Sequence, residues 1–356
     1  MKKTCILLGT RPEIIKLSSI IRFFEKHNLD YFIIHTNQHY SENMDKIFFD
    51  RLRLPSPKYN LNVGSLSQGN QTGRMLAEIE NVLLIEKPEL LLVQGDTNSV
   101  LAGALAACKL GIKVGHIEAG LRSYDRSMPE EINRIVSDHV SDYLFCPTEK
   151  QRGILLGEGI IDDKIFVTGN TIVDAVLESK SLLQKKILES NNLKENKYIL
   201  VTMHRPSNVD KEDILSQHLE NISRLSNDYN LDVIFPIHPR TLKNIKEFNL
   251  KIPDKIKIIE PVDFLELLSL EFYSKIILTD SGGILEEACI LGIPTLNLRE
   301  NTERPECVEI GASKTVGSSY DLLKKGYDYF IHNNKQWVHP FGLNPTQKII
   351  DFLMNQ

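Results

Sequence analysis

Three carboxylates stand where predicted strands end in the first half of the chain: Asp96 in Gln94-Gly95-Asp96-Thr97, Glu118 in Gly115-His116-Ile117-Glu118-Ala119-Gly120, and Glu130 in Met128-Pro129-Glu130-Glu131. Carboxylates gathered in this way suit proton transfer to and from a substrate. The second half answers with His204-Arg205, the glycine turn Ser281-Gly282-Gly283, and Arg304. Cations and backbone amides at a helix start are what a phosphate group requires. The division predicts an acid/base face working opposite a phosphate-binding face.

Each of these residues also has a simpler role to weigh. Asp96-Thr97 suits the N-cap of a helix over 98–109, a common use of Asp. Glu118 is harder to assign to structure, because an acidic side chain ending an apolar strand beside Ala119-Gly120 is a poor choice unless it does chemistry. Glu130 and Glu131 open a helix over 131–141, where negative charge favours the dipole, so one of them is structural and Arg134 orients them. In Gly9-Thr10-Arg11-Pro12-Glu13, a strand gives way to a helix reaching about Lys26. That places Arg11, and Lys16 one turn on, at the C-terminal edge of a sheet, where ligands of open α/β sheets bind; alternatively Arg11 caps Glu13. After the strand 275–279, Asp280 is expected to cap the next helix, the Ser281–Gly283 turn to cradle a phosphate, and Glu286 or Glu287 to meet a ribose diol; a glycine turn serving geometry alone is the alternative. His238 reads equally as a core histidine or a site residue.

The elements that must position these groups follow from hydrophobic pattern. Short Ile/Leu/Val-rich runs alternate with amphipathic stretches, the pattern of βαβ units feeding parallel sheets covered on both faces. Strands are predicted at 4–8, 31–35, 90–94, 113–117, 142–146 and 164–168, then at 198–203, 232–237, 255–260, 275–279 and 294–298. The fold class is therefore α/β, with two Rossmann-like domains. The first spans 1–168 and carries the carboxylates; the second spans 169–341. A C-terminal helix in 342–356 is free to pack back on the first domain. Thr168-Gly169-Asn170-Thr171 opens a helix over 172–187 at the boundary, and Ser190–Lys197 reads as a solvated connection. The length of 356 residues suits two domains.

With 42 Lys+Arg against 47 Asp+Glu, a net charge of −5 argues against a broad nucleic-acid or anionic-membrane footprint. No apolar run approaches the roughly 18–20 residues of a membrane span, so a cytoplasmic protein is expected. The five cysteines are scattered and read as small buried hydrophobes. There is no Gly-x-Gly-x-x-Gly and no Gly-Lys-Ser/Thr, which speaks against a dinucleotide cofactor or a P-loop.

Taken together, Gly9-Thr10-Arg11-Pro12-Glu13, Gln38-His39, Gly95-Asp96-Thr97, Gly115–Arg122, Pro129–Arg134, Gly169-Asn170-Thr171, Thr279–Ile284 and Thr302-Glu303-Arg304-Pro305-Glu306 resemble, in order and over nearly the whole chain, the non-hydrolysing UDP-N-acetylglucosamine 2-epimerases. The resemblance implies a glycosyltransferase-B-type architecture with the nucleotide sugar in the interdomain cleft. It also implies a homodimer with no metal and no redox cofactor, and UDP-N-acetylglucosamine and UDP as the bound partners. In that chemistry UDP leaves C1 of the sugar, oxocarbenium character acidifies the C2 hydrogen, and a 2-acetamidoglucal forms before UDP adds back with a proton on the other face. By position, Asp96, Glu118 and Glu130 match the family's catalytic acids, with Glu131 in reserve; which acts as base and which as acid stays open. His204 joins this catalytic set and, with Arg11, Arg304 and Ser281-Gly282-Gly283, matches positions holding the diphosphate; Lys16 lies near it and Glu287 matches the ribose position. The chain departs from the family where Pro206-Ser207-Asn208 follows His204-Arg205, and where Leu267, with Phe264 one turn earlier, replaces the aromatic beside uracil. A hydrolysing epimerase, a glycosyltransferase of the same fold and a nucleotide-sugar sensor are the rival expectations.

Overall fold

The computed structural model describes residues 3–38, 49–302, 304–333 and 336–356, so His39 and Glu303 of the quoted motifs lie outside the described residues. The chain divides into two compact units, Met1–Ala175 with Phe341–Gln356, and Val176–Pro340. Both are parallel α/β structures.

In the first unit the strands are β1 (Thr4–Leu8), β2 (Tyr31–His35), β3 (Tyr59–Asn60), β4 (Leu90–Gln94), β5 (Lys113–Ile117), β6 (Tyr143–Cys146) and β7 (Ile165–Val167), in the order β3-β2-β1-β4-β5-β6-β7. Every described pairing is parallel. β1, β4 and the greater part of β2 and β5 are buried, as the unbroken apolar runs require. Strand order reverses at β1, which has β2 on one side and β4 on the other. The loops after β1 and β4 therefore diverge to opposite faces and leave a crevice at their carboxyl ends. Asp96 and Arg11 follow these two strands.

The second unit repeats the plan with β8 (Tyr198–Thr202), β9 (Asp232–Pro236), β10 (Ile256–Ile259), β11 (Ile276–Thr279), β12 (Thr295–Asn297) and β13 (Ser313–Thr315), in the order β10-β9-β8-β11-β12-β13. Its reversal lies between β8 and β11. His204-Arg205 follows the first of these strands and Asp280–Gly283 the second. Ile199, Val201, Phe235 and Leu278 lie in its core; Leu7, Ile34, Leu91 and Val93 do the same in the first unit.

The eleven predicted strands are present, while β3 and β13, of two and three residues, were not anticipated. The helix expected over 172–187 ends at Ser179. A 3₁₀ turn, Lys180–Leu182, follows and helix resumes at Lys186–Ser190. The amide of Gln184 donates to Ser269 Oγ at 3.3 Å, a tertiary bond that takes the place of the helical one. The chain leaves the first unit after Ala175, later than Gly169, because the returning C-terminal segment holds this stretch. Asn170 N donates to Phe341 O at 2.9 Å and Thr346 N to Asp174 Oδ2 at 2.7 Å. Phe352 of the helix Pro345–Met354 packs on Tyr143, Phe145 and Phe166, with ring centroids 5.1, 5.6 and 4.0 Å away. Among the described residues, no helix is long and apolar enough to cross a membrane. Cys108 is exposed, and the other four cysteines are buried.

Candidate active site

Glu118 follows β5 directly and adopts φ +70°, a left-handed conformation uncommon for Glu and costing on the order of 1–3 kcal/mol. What holds it there is non-local. Its own amide and that of Ala119 both donate to Phe145 O, at 3.0 and 3.1 Å. Lys16 Nζ lies 2.8 and 2.7 Å from its two oxygens, and Gln94 Nε2 donates to Oε2. The carboxylate is thus buried, 6 % exposed, in an ion pair with a lysine 102 residues away. Gly120, at φ +82°, completes the turn; a Cβ there would stand 2.7 Å from Gln151 O, so only glycine fits.

Asp96 sits after β4 and pairs with Arg134 Nη2. It does not cap the helix Asn98–Lys109; Thr97 does, its Oγ1 accepting from Val100 N. Asn133 Nδ2 donates to Asp96 O at 3.0 Å, so the helix Pro129–Val140 grips this turn by two side chains. Glu130 is exposed. Glu131 is the structural one of the pair: 1 % exposed, it accepts from Ser123 N, Ser123 Oγ and Tyr124 N at 2.9 Å each and from Arg134 Nη1 at 2.8 Å. Burial pushes its carboxyl up, but these donors outweigh it and hold the group below the ordinary carboxylate value. The reserve acid is therefore a loop anchor.

In the second unit Asp280, expected as a cap, turns away from its own helix. Completely buried, it accepts from His204 N at 3.1 and 3.0 Å, Arg205 N at 2.9 Å and Asn208 Nδ2 at 3.1 Å. The departure Pro206-Ser207-Asn208 thus supplies a buried donor of its own. Ser281 becomes the N-cap of the helix Gly282–Leu291 without a side-chain cap bond, which leaves the first-turn amides of a kind that can bind an anion. His204 Nδ1 is 3.3 Å from Asp280 Oδ1. Burial lowers the His204 pKa, and the nearby Arg205, His238 and Arg240 add to the effect against the opposing pull of Asp280. His238 is not a core residue; it is exposed, accepts from Arg240 N, and its ring stands 5.3 Å from that of His204. Arg304 Nε lies 2.7 Å from Glu286 Oε1, an ion pair that spends Glu286 on positioning the arginine and leaves Glu287, half-buried on the same helix, as the ribose candidate. Phe264 is buried, so its ring offers little face to a base.

Over residues 22–354 the chain matches the family model described as UDP-N-acetylglucosamine 2-epimerase. The chain belongs to the UDP-N-acetylglucosamine 2-epimerase family. It is 56% identical over 348 residues to the UDP-N-acetylglucosamine 2-epimerase of Methanocaldococcus jannaschii, covering 96% of this chain and 95% of that one. The crystal structure of a Methanocaldococcus jannaschii UDP-GlcNAc 2-epimerase in complex with UDP-GlcNAc and UDP matches it with a TM-score of 0.89 at 55% identity, covering 99% of each chain. That from Neisseria meningitidis bound to UDP-GlcNAc matches with a TM-score of 0.89 at 34% identity, covering 99% of this chain and 100% of the other.

Three residues in contact with candidate groups of their own unit carry no signal in the sequence reading. Gln94 was within a quoted motif but read only as strand. Glu271, completely buried, has its carboxyl raised far above the ordinary range by burial and by the neighbouring charge of Glu287. Nothing in the sequence pattern marked Asp138, which joins His116 and Arg122 beneath the carboxylates.

The sequence offers Glu13 only as a partner of Arg11, yet the residue ties the loops after β1 and β4 together. Its Oε2 accepts from Gly9 N at 3.1 Å and Thr10 Oγ1 at 2.7 Å, and its Oε1 from Thr97 Oγ1 at 2.9 Å. Gly9 is needed for this approach, since a Cβ would meet Ser99 Oγ at 2.1 Å. Burial, only partly offset by these bonds, raises the Glu13 pKa to about 7. A raised acid binds its proton more tightly in the folded state, so Glu13 favours folding at low pH and that contribution is lost as pH rises from about 4.5 to about 7. The Glu13→Gln variant, whose amide nitrogen can donate to the Thr97 hydroxyl, should lose this slope. The difference between its stability and that of the parent should grow by up to roughly 3 kcal/mol from pH 4.5 to pH 8, at about 1.4 kcal/mol per pH unit. Urea titrations across this range measure it, and parallel stability curves for the two proteins would count against the assignment.

Proposed function

We propose that the protein interconverts UDP-N-acetylglucosamine and UDP-N-acetylmannosamine by epimerisation at C2 without hydrolysis. The observation that supports this most is Glu118: a buried carboxylate in a strained backbone conformation, ion-paired with Lys16, at the carboxyl edge of the first sheet beside the Asp96 turn. Strain sustained by so many non-local bonds marks a group kept for chemistry. The identity to named relatives supports the substrate.

In the proposed reaction the C1–O bond breaks with its electron pair leaving on UDP, and a carboxylate of the Asp96, Glu118 and Glu130 set takes the C2 proton, giving 2-acetamidoglucal. UDP then adds back to C1 as a carboxyl group delivers a proton to the other face of C2. Arg11, Arg304, His204 and the Ser281-Gly282-Gly283 turn, through the amides of Gly282 and Gly283, stabilise the charge that develops on the diphosphate, with Lys16 close by; the Ser281 amide donates to Thr279 Oγ1 at 3.0 Å and shapes the turn. Glu287 binds the ribose diol. The net change is an isomerisation, with no electrons gained or lost. The enzyme is taken to act as a homodimer in the cytoplasm.

Incubation with UDP-N-acetylglucosamine in deuterated water, followed by NMR, tests the route. Deuterium should appear at C2 together with a second, manno-configured UDP-sugar. Turnover that retains the C2 proton would sink the elimination, and free N-acetylmannosamine accumulating with UDP would assign the hydrolysing reaction instead.

A further inference from the structure

Beneath the two carboxylate turns of the first unit lies a buried charged network that the proposed chemistry does not use. His116, on β5, is completely buried, and its ring is bonded at both nitrogens: Nδ1 to Asp138 Oδ1 at 2.7 Å and Nε2 to Gly95 O at 2.8 Å. A carbonyl oxygen can only accept, so Nε2 carries a hydrogen. Asp138 Oδ2 already accepts from Arg122 Nη1 at 2.7 Å and Gly120 N at 3.2 Å, the pattern of a carboxylate that is accepting throughout, so Nδ1 carries a hydrogen as well. The ring is then an imidazolium.

We infer that Asp138 is the positioning residue for both catalytic turns: through the His116 imidazolium it holds the Gly95 carbonyl that sets Asp96, and through the Gly120 amide it closes the turn that aims Glu118. The groups facing this pair are Arg122, itself bonded to Glu158 at 2.8 and 2.6 Å, Asp96, and the Cys146 thiol. Burial opposes charge on His116, but Asp138, the Gly95 carbonyl and Asp96 outweigh it and raise the imidazole above its ordinary value. His116 and Arg122 stand against Asp138 and Glu158, while Asp96 has Arg134 as its own cation. Such an arrangement is stable when complete and costly when one member is removed. Its position under two loops that leave adjacent strands lets one side chain set the separation of two carboxylates.

The inference rests on the epimerase reading for its kinetic consequence but not for its structural one, and the experiment separates them. In the wild-type protein, ¹⁵N NMR of the His116 ring should show both nitrogens protonated at pH 7.5. A neutral ring at pH 7.5 overturns the inference whatever the enzyme does. In Asp138→Asn the same ring should become neutral at pH 7.5. Turnover of UDP-N-acetylglucosamine should fall about a hundredfold, the scale of a misplacement near 1 Å, while KM and the Kd for UDP stay within about threefold. A residue serving stability alone would lower Tm but leave kcat per folded molecule unchanged, and that outcome also overturns the inference. If Asp138→Asn fails to fold, the wild-type ring measurement decides. If the wild-type protein shows no epimerisation, it is the functional reading that fails, and the protonation state still tests the network.

Discussion

Glu118→Gln should reduce turnover of UDP-N-acetylglucosamine at least roughly a hundredfold while UDP binds within about threefold of its original affinity. The substitution removes the proposed proton-transfer group, and losing such a group when it is well placed costs about a hundredfold or more. It keeps the side-chain volume and the two backbone bonds to Phe145 O that hold the strained turn. UDP binding is assigned to other residues, so ground-state affinity should survive; a loss confined to kcat would mark an interaction made in the transition state. The variant removes the Glu118 charge that faces the Lys16 ammonium, 12 % exposed, so a drop in stability is expected as well. Activity is therefore to be normalised to the folded fraction from circular dichroism. Turnover within threefold of the parent would remove Glu118 from the chemistry.

Asp280→Ala should weaken UDP binding at least tenfold and lower the Tm. The buried carboxylate organises the turn after β8 by accepting from His204 N, Arg205 N and Asn208 Nδ2. Its removal strands three donors, each worth about 1–3 kcal/mol when left unpaired in a buried site. Part of that is recovered if water enters, so a net loss of about 3–5 kcal/mol, or roughly 6–20 °C for a domain of this size, is the expected scale. The sign of the binding effect is informative. Deleting a negative charge beside an anion site would by itself raise affinity, so a fall isolates the positioning of His204 and of the uncapped helix start at Ser281. Calorimetric titration with UDP at two salt concentrations measures it; unchanged or tighter binding would show that Asp280 serves the fold alone.

Much of this site was legible before any coordinates. Glu118 stood out because an acid at the end of an apolar strand conflicts with local pattern, and the structure finds it strained and enclosed. The glycine turn at Ser281–Gly283 was legible for the opposite reason, since strand, turn and helix start agree at every level. Asp280 was misassigned as a cap on equally good local grounds, and Glu131 is structural through other donors than the dipole. An Asp before a helix is usually a cap and a Glu in the first turn usually serves the dipole, but each found stronger donors in another segment.

The sequence by itself determined the parallel α/β class, the strands long enough to carry a hydrophobic pattern, and the chemical types gathered at their ends. Period, turn residues and side-chain chemistry are local properties, readable within about ten residues. Tertiary structure alone decided the partners: Lys16 with Glu118 and Asp138 with His116 and Arg122. It also decided the two short strands at the edges of the sheets, which carry too few residues to show a period. Those choices depend on the order in which strands assemble. Reversal at β1 and at β8 brings loops from distant parts of the chain to one sheet edge, and no local pattern encodes that adjacency.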